Sequence, residues 1–316
     1  MFRWAALLAC LATSLCAIAQ PYPVKPIRMV LTLAGTDVLA RAGAQHLTDA
    51  LGQPVVVDLV VGASGSIGAA AVARAAPDGY TIMLTSSAQI ITRVFLSKNT
   101  PYDSVKSFTP IAKVAEAVAV VAVNPALPVG SIGEMINHAK RNPGRISYAT
   151  SGVGTTHHLS SEMLRQLTGI EWTHVPYKSS GQVINDLISG EVQVAFSALA
   201  NLVQFANAGK VRIIAINGDA RFRVLPNIPT VAEQLSGYER PPGWVAYFGP
   251  AGLPPAIVTR LNEEIVKAMS VPEVRAKLEA IGFVVSTSTP GELGDMVKRS
   301  VAITGKLVKA AGIDAE

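Results

Sequence analysis

Four stretches of Gly, Ser and Thr follow apolar runs and open onto helical periods: Leu33-Ala34-Gly35-Thr36-Asp37, Gly62-Ala63-Ser64-Gly65-Ser66-Ile67-Gly68, Leu84-Thr85-Ser86-Ser87 and Ser151-Gly152-Val153-Gly154-Thr155-Thr156. Loops of this kind present unpaired backbone N–H groups and hydroxyls at a helix N-terminus, where the helix dipole favours an anion. Several of them converging on one cleft would make a carboxylate or phosphate receptor. The sequence shows no nucleophile motif, acid–base pair or metal-ligand set beside them.

Nearby polar residues are weighed against that frame. Asp37 suits an N-terminal cap or a first-turn charge better than an anion contact. Tyr177 and Lys178 can donate to a carboxylate. His157 and His158 are adjacent at a helix start, so they cannot both reach one metal ion from one helix face. His157 is the candidate for the cleft, and His158 for internal packing. The glycines 62, 65 and 68 are spaced G-x-x-G-x-x-G rather than G-x-G-x-x-G, which argues against a dinucleotide-binding turn. Ser64, Ser87 and Ser151 lie on strand-to-helix turns, but none sits in G-x-S-x-G, so a secreted serine hydrolase would need a triad assembled from distant residues.

The elements that must position these groups alternate. Continuous apolar strands are expected at 27–33, 54–59, 80–85, 118–123, 146–149, 172–175, 192–196, 211–216 and 244–248, with helical periods between them and three successive helices in the last third. Strands apolar on both faces argue parallel sheets covered by helices on both sides. Arg3, the apolar run 4–17 and Ala17-Ile18-Ala19 have the pattern of a secretory signal peptide, with cleavage near Ala19. Both cysteines, Cys10 and Cys16, fall inside that segment, so disulfides and thiolate chemistry are excluded from the mature chain. The net charge of +5 is scattered without a polybasic run, which argues against nucleic-acid binding.

An ordered set of short motifs carries a family resemblance. It includes Pro26-Ile27-Arg28, Thr36-Asp37-Val38-Leu39-Ala40-Arg41, Leu51-Gly52-Gln53-Pro54, Arg74-Ala75-Ala76-Pro77-Asp78-Gly79-Tyr80, Pro101-Tyr102-Asp103, His174-Val175-Pro176-Tyr177-Lys178, Pro229-Thr230-Val231-Ala232-Glu233 and Pro250-Ala251-Gly252. Together they resemble the substrate-binding receptors of tripartite tricarboxylate transporters, the Bug-type family, across essentially the whole mature chain.

The resemblance implies a type II periplasmic binding fold. Two doubly wound α/β domains, 20–123 plus 241–316 and 124–240, would be joined by two hinge-crossing strands. It implies a monomeric periplasmic receptor, without cofactor, metal or catalysis, that captures a small organic carboxylate by hinge closure for the permease subunits of the transporter. A receptor feeding a membrane signalling sensor would need the same closed, liganded form. Carried onto this chain, the implied ligand-binding residues are Gly35, Thr36, Asp37, Ser86, Ser87, Ser151, Gly154, Thr155, Thr156, His157, Tyr177, Lys178 and Ser197. The chain departs from the family pattern in three places: the first loop is about two residues short, the segment 59–65 has an apolar rim, and Ser197 stands where Asp is frequent. Losing that Asp removes a partner for an ammonium group, which ranks amino acids below plain or aromatic carboxylates.

Overall fold

The computed structural model describes residues 22–32, 37–60, 62–177 and 179–315. The signal segment and cleavage site, together with Gly35, Thr36 and Lys178, lie outside the described residues. The chain opens with β1 (Ile27–Leu31), α1 (Asp37–Leu51), β2 (Val55–Leu59), α2 (Ser66–Ala73) and β3 (Thr81–Ser86). A π turn (Ala88–Thr92) and a short α3 (Arg93–Leu96) lead to the long β4 (Phe108–Ala117). The next series is β5 (Ala119–Val123), α4 (Ile132–Arg141), β6 (Ser147–Thr150), α5 (Thr156–Thr168), β7 (Thr173–Pro176) and α6 (Ser180–Ser189). It continues with β8 (Val194–Ala198), α7 (Leu199–Asn207), β9 (Arg212–Asn217) and α8 (Val231–Gln234). The chain closes with β10 (Trp244–Pro250), α9 (Pro255–Ser270), α10 (Pro272–Ala280), β11 (Phe283–Val285) and α11 (Pro290–Ala310).

These elements form two sheets, ordered β11-β4-β10-β3-β1-β2 and β7-β6-β8-β5-β9, each the centre of one α/β lobe. The central strands of each sheet are buried on both faces. In β1, Ile27, Met29 and Leu31 enter one core cluster and Val30 enters another; in β5, Val121 and Val123 separate from Val120 and Ala122 in the same way. The sheets are mixed rather than parallel throughout. β10 runs antiparallel to β3 and β4, β11 antiparallel to β4, and β5 antiparallel to β8 and β9. Strands that arrive from the other lobe enter against the direction of the βαβ units, and this sets their polarity.

Two strands had no apolar signature in the sequence. β4 carries Pro110, Lys113 and Glu116, and β11 has only three residues. β4 is held between β10 and β11, and its buried Lys113 ammonium is paired with Glu116. The second sheet begins with β5 at Ala119, ahead of the expected boundary at 124. The first crossing is Val118, whose N–H donates to the Gly282 carbonyl at 2.8 Å while its own carbonyl accepts from the Leu199 N–H at 2.8 Å. One residue is thereby tied to both lobes. The return crossing is the segment 239–243, which follows α8 and the second-lobe core residue Tyr238.

α11 starts with a capping box of Thr289 and Glu292, with Pro290 in the first turn. It packs beside β4 in the first lobe and ends with Leu307 and Val308 against Leu159 of α5 in the second.

Candidate functional site

A cleft of about 470 Å³ lies between the lobes and is lined by both. It opens at the carboxyl ends of β3, β6, β8 and β9, where an open α/β sheet presents its loops and helix N-termini. The first lobe contributes Ser86, Ser87, Ala88, Gln89, Val245 and Phe283, and the second contributes Ser151, Thr155, Thr156, His157, Ser180, Ala198, Asn201 and Asn217. Arg240, Pro241 and Gly243 reach it from the return crossing.

The first-lobe wall is built by the π turn after β3. A π turn leaves carbonyls out of the regular helical ladder, and here the Tyr102 hydroxyl donates to the Gln89 carbonyl at 2.6 Å and Ser104 Oγ to that of Ile90 at 2.5 Å. Gln89 Oε1 in turn accepts from the Ser86 N–H at 3.1 Å and from the Ser86 hydroxyl. Gly65 makes room for this side chain: it has φ +84°, and a Cβ there would lie 2.3 Å from Gln89 Cγ. Ser87 donates to the Pro242 carbonyl at 2.7 Å and so fastens this wall to the return crossing.

The second-lobe wall is the N-terminus of α5. Thr155 caps it by accepting from the His158 N–H at 3.3 Å, and its hydroxyl donates to the Gly152 carbonyl at 2.9 Å. Thr156 and His157 follow on the cleft side. Ser151 Oγ stands 3.4 Å from His157 Nδ1. Burial pushes the His157 imidazolium down to about 4, so the ring is neutral at neutral pH.

His158 turns inward. Its Nδ1 accepts from the Gly154 N–H at 3.0 Å, and its ring stacks on His174. Below them Tyr148 stacks on His174, meets Trp172 at a 40° tilt and donates to Glu162 at 2.9 Å. Burial holds the His158 and His174 imidazoliums below their ordinary range, His174 at about 4. This buried aromatic column carries the loop 151–155 from beneath.

Arg240 is the one arginine on the cleft wall, and it is already engaged. Its Nε and Nη2 hold both oxygens of Asp219 at 2.6 and 2.7 Å, and Nη2 also donates to Glu116. Burial works against its charge, but Asp219 and Glu116 outweigh that and raise the guanidinium further. No Asp or Glu lines the cleft among the described residues.

Of the residues singled out in the sequence, Ser86, Ser87, Ser151, Thr155, Thr156 and His157 come together on this wall. Asp37 opens α1 and is not among the residues that line the cleft. Gly154 abuts Leu96 in a neighbouring cavity instead. Tyr177 gives its hydroxyl to Asp186 of α6 at 2.5 Å, and Ser197 is buried in β8, leaving Ala198 at the surface of the cleft. Sequence reasoning missed Gln89, Ser180, Asn201, Asn217, Arg240 and Phe283. Ser180 and Asn201 were findable, since each stands in the first turn of a helix that follows a strand. Asn217 is structural: its amide donates to Ser160 at 2.7 Å and accepts from Tyr238 at 2.9 Å.

A bilobal cleft of this topology has known counterparts. The family model described as "Tripartite tricarboxylate transporter family receptor" matches residues 39–313. The chain belongs to this receptor family. Protein BugT of Bordetella pertussis is 32% identical over 300 residues, covering 93% of this chain and 91% of that protein. Among solved structures, R. palustris Rpa4515 with adipate is 32% identical with a TM-score of 0.78, covering 93% of this chain and 100% of that one. MatC (Rpa3494) from Rhodopseudomonas palustris with bound malate is 27% identical with a TM-score of 0.71, covering 91% and 100%. This receptor is therefore a solute-binding protein of the periplasmic binding type. Among the described residues no helix is long and apolar enough to cross a membrane.

Proposed function

We propose that this receptor captures a small carboxylate lacking an amino group by closing its lobes on it, and presents it to the membrane subunits of a tripartite carrier. The observation that carries this reading is the cleft wall itself. Hydroxyls and amides line the cleft from both lobes together with the α5 N-terminus, no carboxylate does among the described residues, and the nearby acids Glu116 and Asp219 are paired with Arg240. Such a wall stabilises an anion and offers no charged partner to an ammonium. Val118, Val245, Pro241 and Phe283 give the ligand's body apolar contact. The adipate and malate held by the two related structures are carboxylates without amino groups, which supports the same class here.

In this reading Thr156, Ser151, His157 and Ser86 hold the carboxylate. Gly35, Thr36 and Lys178, outside the described residues, stay candidate contacts on the family resemblance alone. The chain acts as a monomer after cleavage near Ala19, with no cofactor, metal or chemical step. A serine hydrolase is disfavoured: Ser151 and His157 approach each other, but no carboxylate lines the cleft to orient the imidazole. Isothermal titration of adipate, malate and benzoate, each paired with an amino acid of similar size, tests the reading. Binding confined to the non-amino partners supports it, and a preference for the amino acids refutes it.

A further inference from the structure

Outside the cleft the lobes meet at a second, apolar contact. Gly154, on the loop before α5, is buried at φ +72°, and a Cβ built on it would lie 2.4 Å from Leu96 Cδ1 and 2.9 Å from Cδ2. The Leu96 side chain of the first lobe thus lies directly on the Gly154 backbone of the second. Phe95 beside it packs on α11 at Gly305, where a Cβ would stand 3.1 Å from its ring. The end of α11 closes the group, with Leu307 and Val308 against Leu159 of α5 and Met163 and Ile303 at the edge.

We propose that Leu96 and Gly154 form a closing contact that sets the receptor's affinity without touching the ligand. The proposal rests on the hinge-closure reading above. A hinged receptor binds with the affinity of its closed state multiplied by the fraction of the protein already closed. Leu96 and Gly154 belong to different lobes, which also meet at Val118, the return crossing, the end of α11 and the Arg223–Glu279 pair, so burying Leu96 on Gly154 requires α3 and the loop before α5 to be together. The contact therefore holds part of the ligand-free population closed. Glycine suits 154 on two counts: a Cβ there would force the tip of Leu96 aside, and the left-handed φ disfavours other residues. α11 extends the effect, since one helix belongs to the first lobe along most of its length and to this contact at its end.

The test is the interlobe distance distribution of ligand-free protein. Spin labels are placed at Ile67→Cys and Gln182→Cys, both exposed, at the cleft ends of α2 and α6, in the full chain carrying Cys10→Ser and Cys16→Ser. The wild-type background is expected to show a short-distance population. Leu96→Ala should lower it about fivefold and Gly154→Ala should remove it, since a few-fold shift needs only a small differential free energy. Gly154→Ala with Leu96→Ala should return to the Leu96→Ala level, because the obstruction is gone. Thermal midpoints of the ligand-free variants, close to wild type, exclude misfolding, and Leu96→Ala leaves the Gly154 backbone unaltered. Identical distributions in wild type and Gly154→Ala overturn the proposal. Because this arm contains no ligand, its outcome is separate from the fate of the carboxylate reading, which stands or falls on adipate and malate titrated into the same wild-type sample.

Discussion

The rings of His158 and His174 lie face to face, with centroids 4.1 Å apart and planes 8° from parallel. Two imidazoles so placed cannot both carry a proton without strong repulsion, and the Gly154 N–H requires an unprotonated Nδ1 on His158. The column that supports the cleft loop is therefore built from neutral rings.

A pH dependence follows. The folded state binds the His174 proton more weakly than the unfolded chain does, with its ring at about 4 against an ordinary 6.5. The unfolded state then takes up more protons in that window, so the contribution to stability is present above about pH 6.5 and is lost as pH falls towards 4. His158, lowered by burial, and half-buried His157 add in the same direction. Thermal midpoints recorded from pH 7 to pH 4 should fall, and His174→Gln, which keeps a partner for the Thr150 hydroxyl, should flatten that fall. An unchanged slope in the variant would remove His174 from the account.

Thr155 and Thr156 separate stability from binding. Thr155 spends its side chain on the α5 cap and the Gly152 carbonyl, so Thr155→Ala should cost about 1 kcal/mol of stability. The Thr156 side chain lines the cleft beyond that cap, so Thr156→Ala should leave stability within about 0.5 kcal/mol of wild type and weaken carboxylate binding about tenfold. Denaturant unfolding and titration calorimetry on the two variants read these effects independently.

Arg240 tests the hinge. It joins Glu116 at the end of β4 to Asp219 beyond β9, so it ties the first crossing to the second lobe. Arg240→Met leaves Glu116, which is 17% exposed, with Lys113 alone, and should destabilise the protein by about 3 kcal/mol. Arg240→Lys keeps the charge but loses the two-pronged grip on Asp219 and should fall between. Urea midpoints for the three proteins give the order.

The sequence disclosed the fold wherever a local signal carried it. β3 and β10 carry apolar runs, β1 is apolar apart from Arg28, β6 is short and follows Ile146, and the hydroxyl-rich turns after β3 and β6 do reach the cleft. β4 was illegible because Pro110, Lys113 and Glu116 interrupt it, and its place is fixed by β10 and β11, distant in the chain. The site was legible by loop and not by side chain. Nothing local in Tyr177 shows that Asp186 will take its hydroxyl, and nothing local in Gly154 shows that Leu96 will occupy the space above it. Arg240 was missed for the same reason: its partners lie 124 and 21 residues away.

In the proposed function the cleft between the lobes holds a small carboxylate that carries no amino group. Thermal unfolding of ligand-stripped protein against mono-, di-, tri- and aromatic carboxylates, amino acids and neutral sugars tests it most directly. At about 100 times its dissociation constant a ligand stabilises the native state by roughly 2.7 kcal/mol, enough to raise the midpoint by several degrees. The account predicts a rise confined to one class of non-amino carboxylate and abolished or reduced in Thr156→Ala. A rise with amino acids or sugars alone, or no rise with any carboxylate, would contradict it.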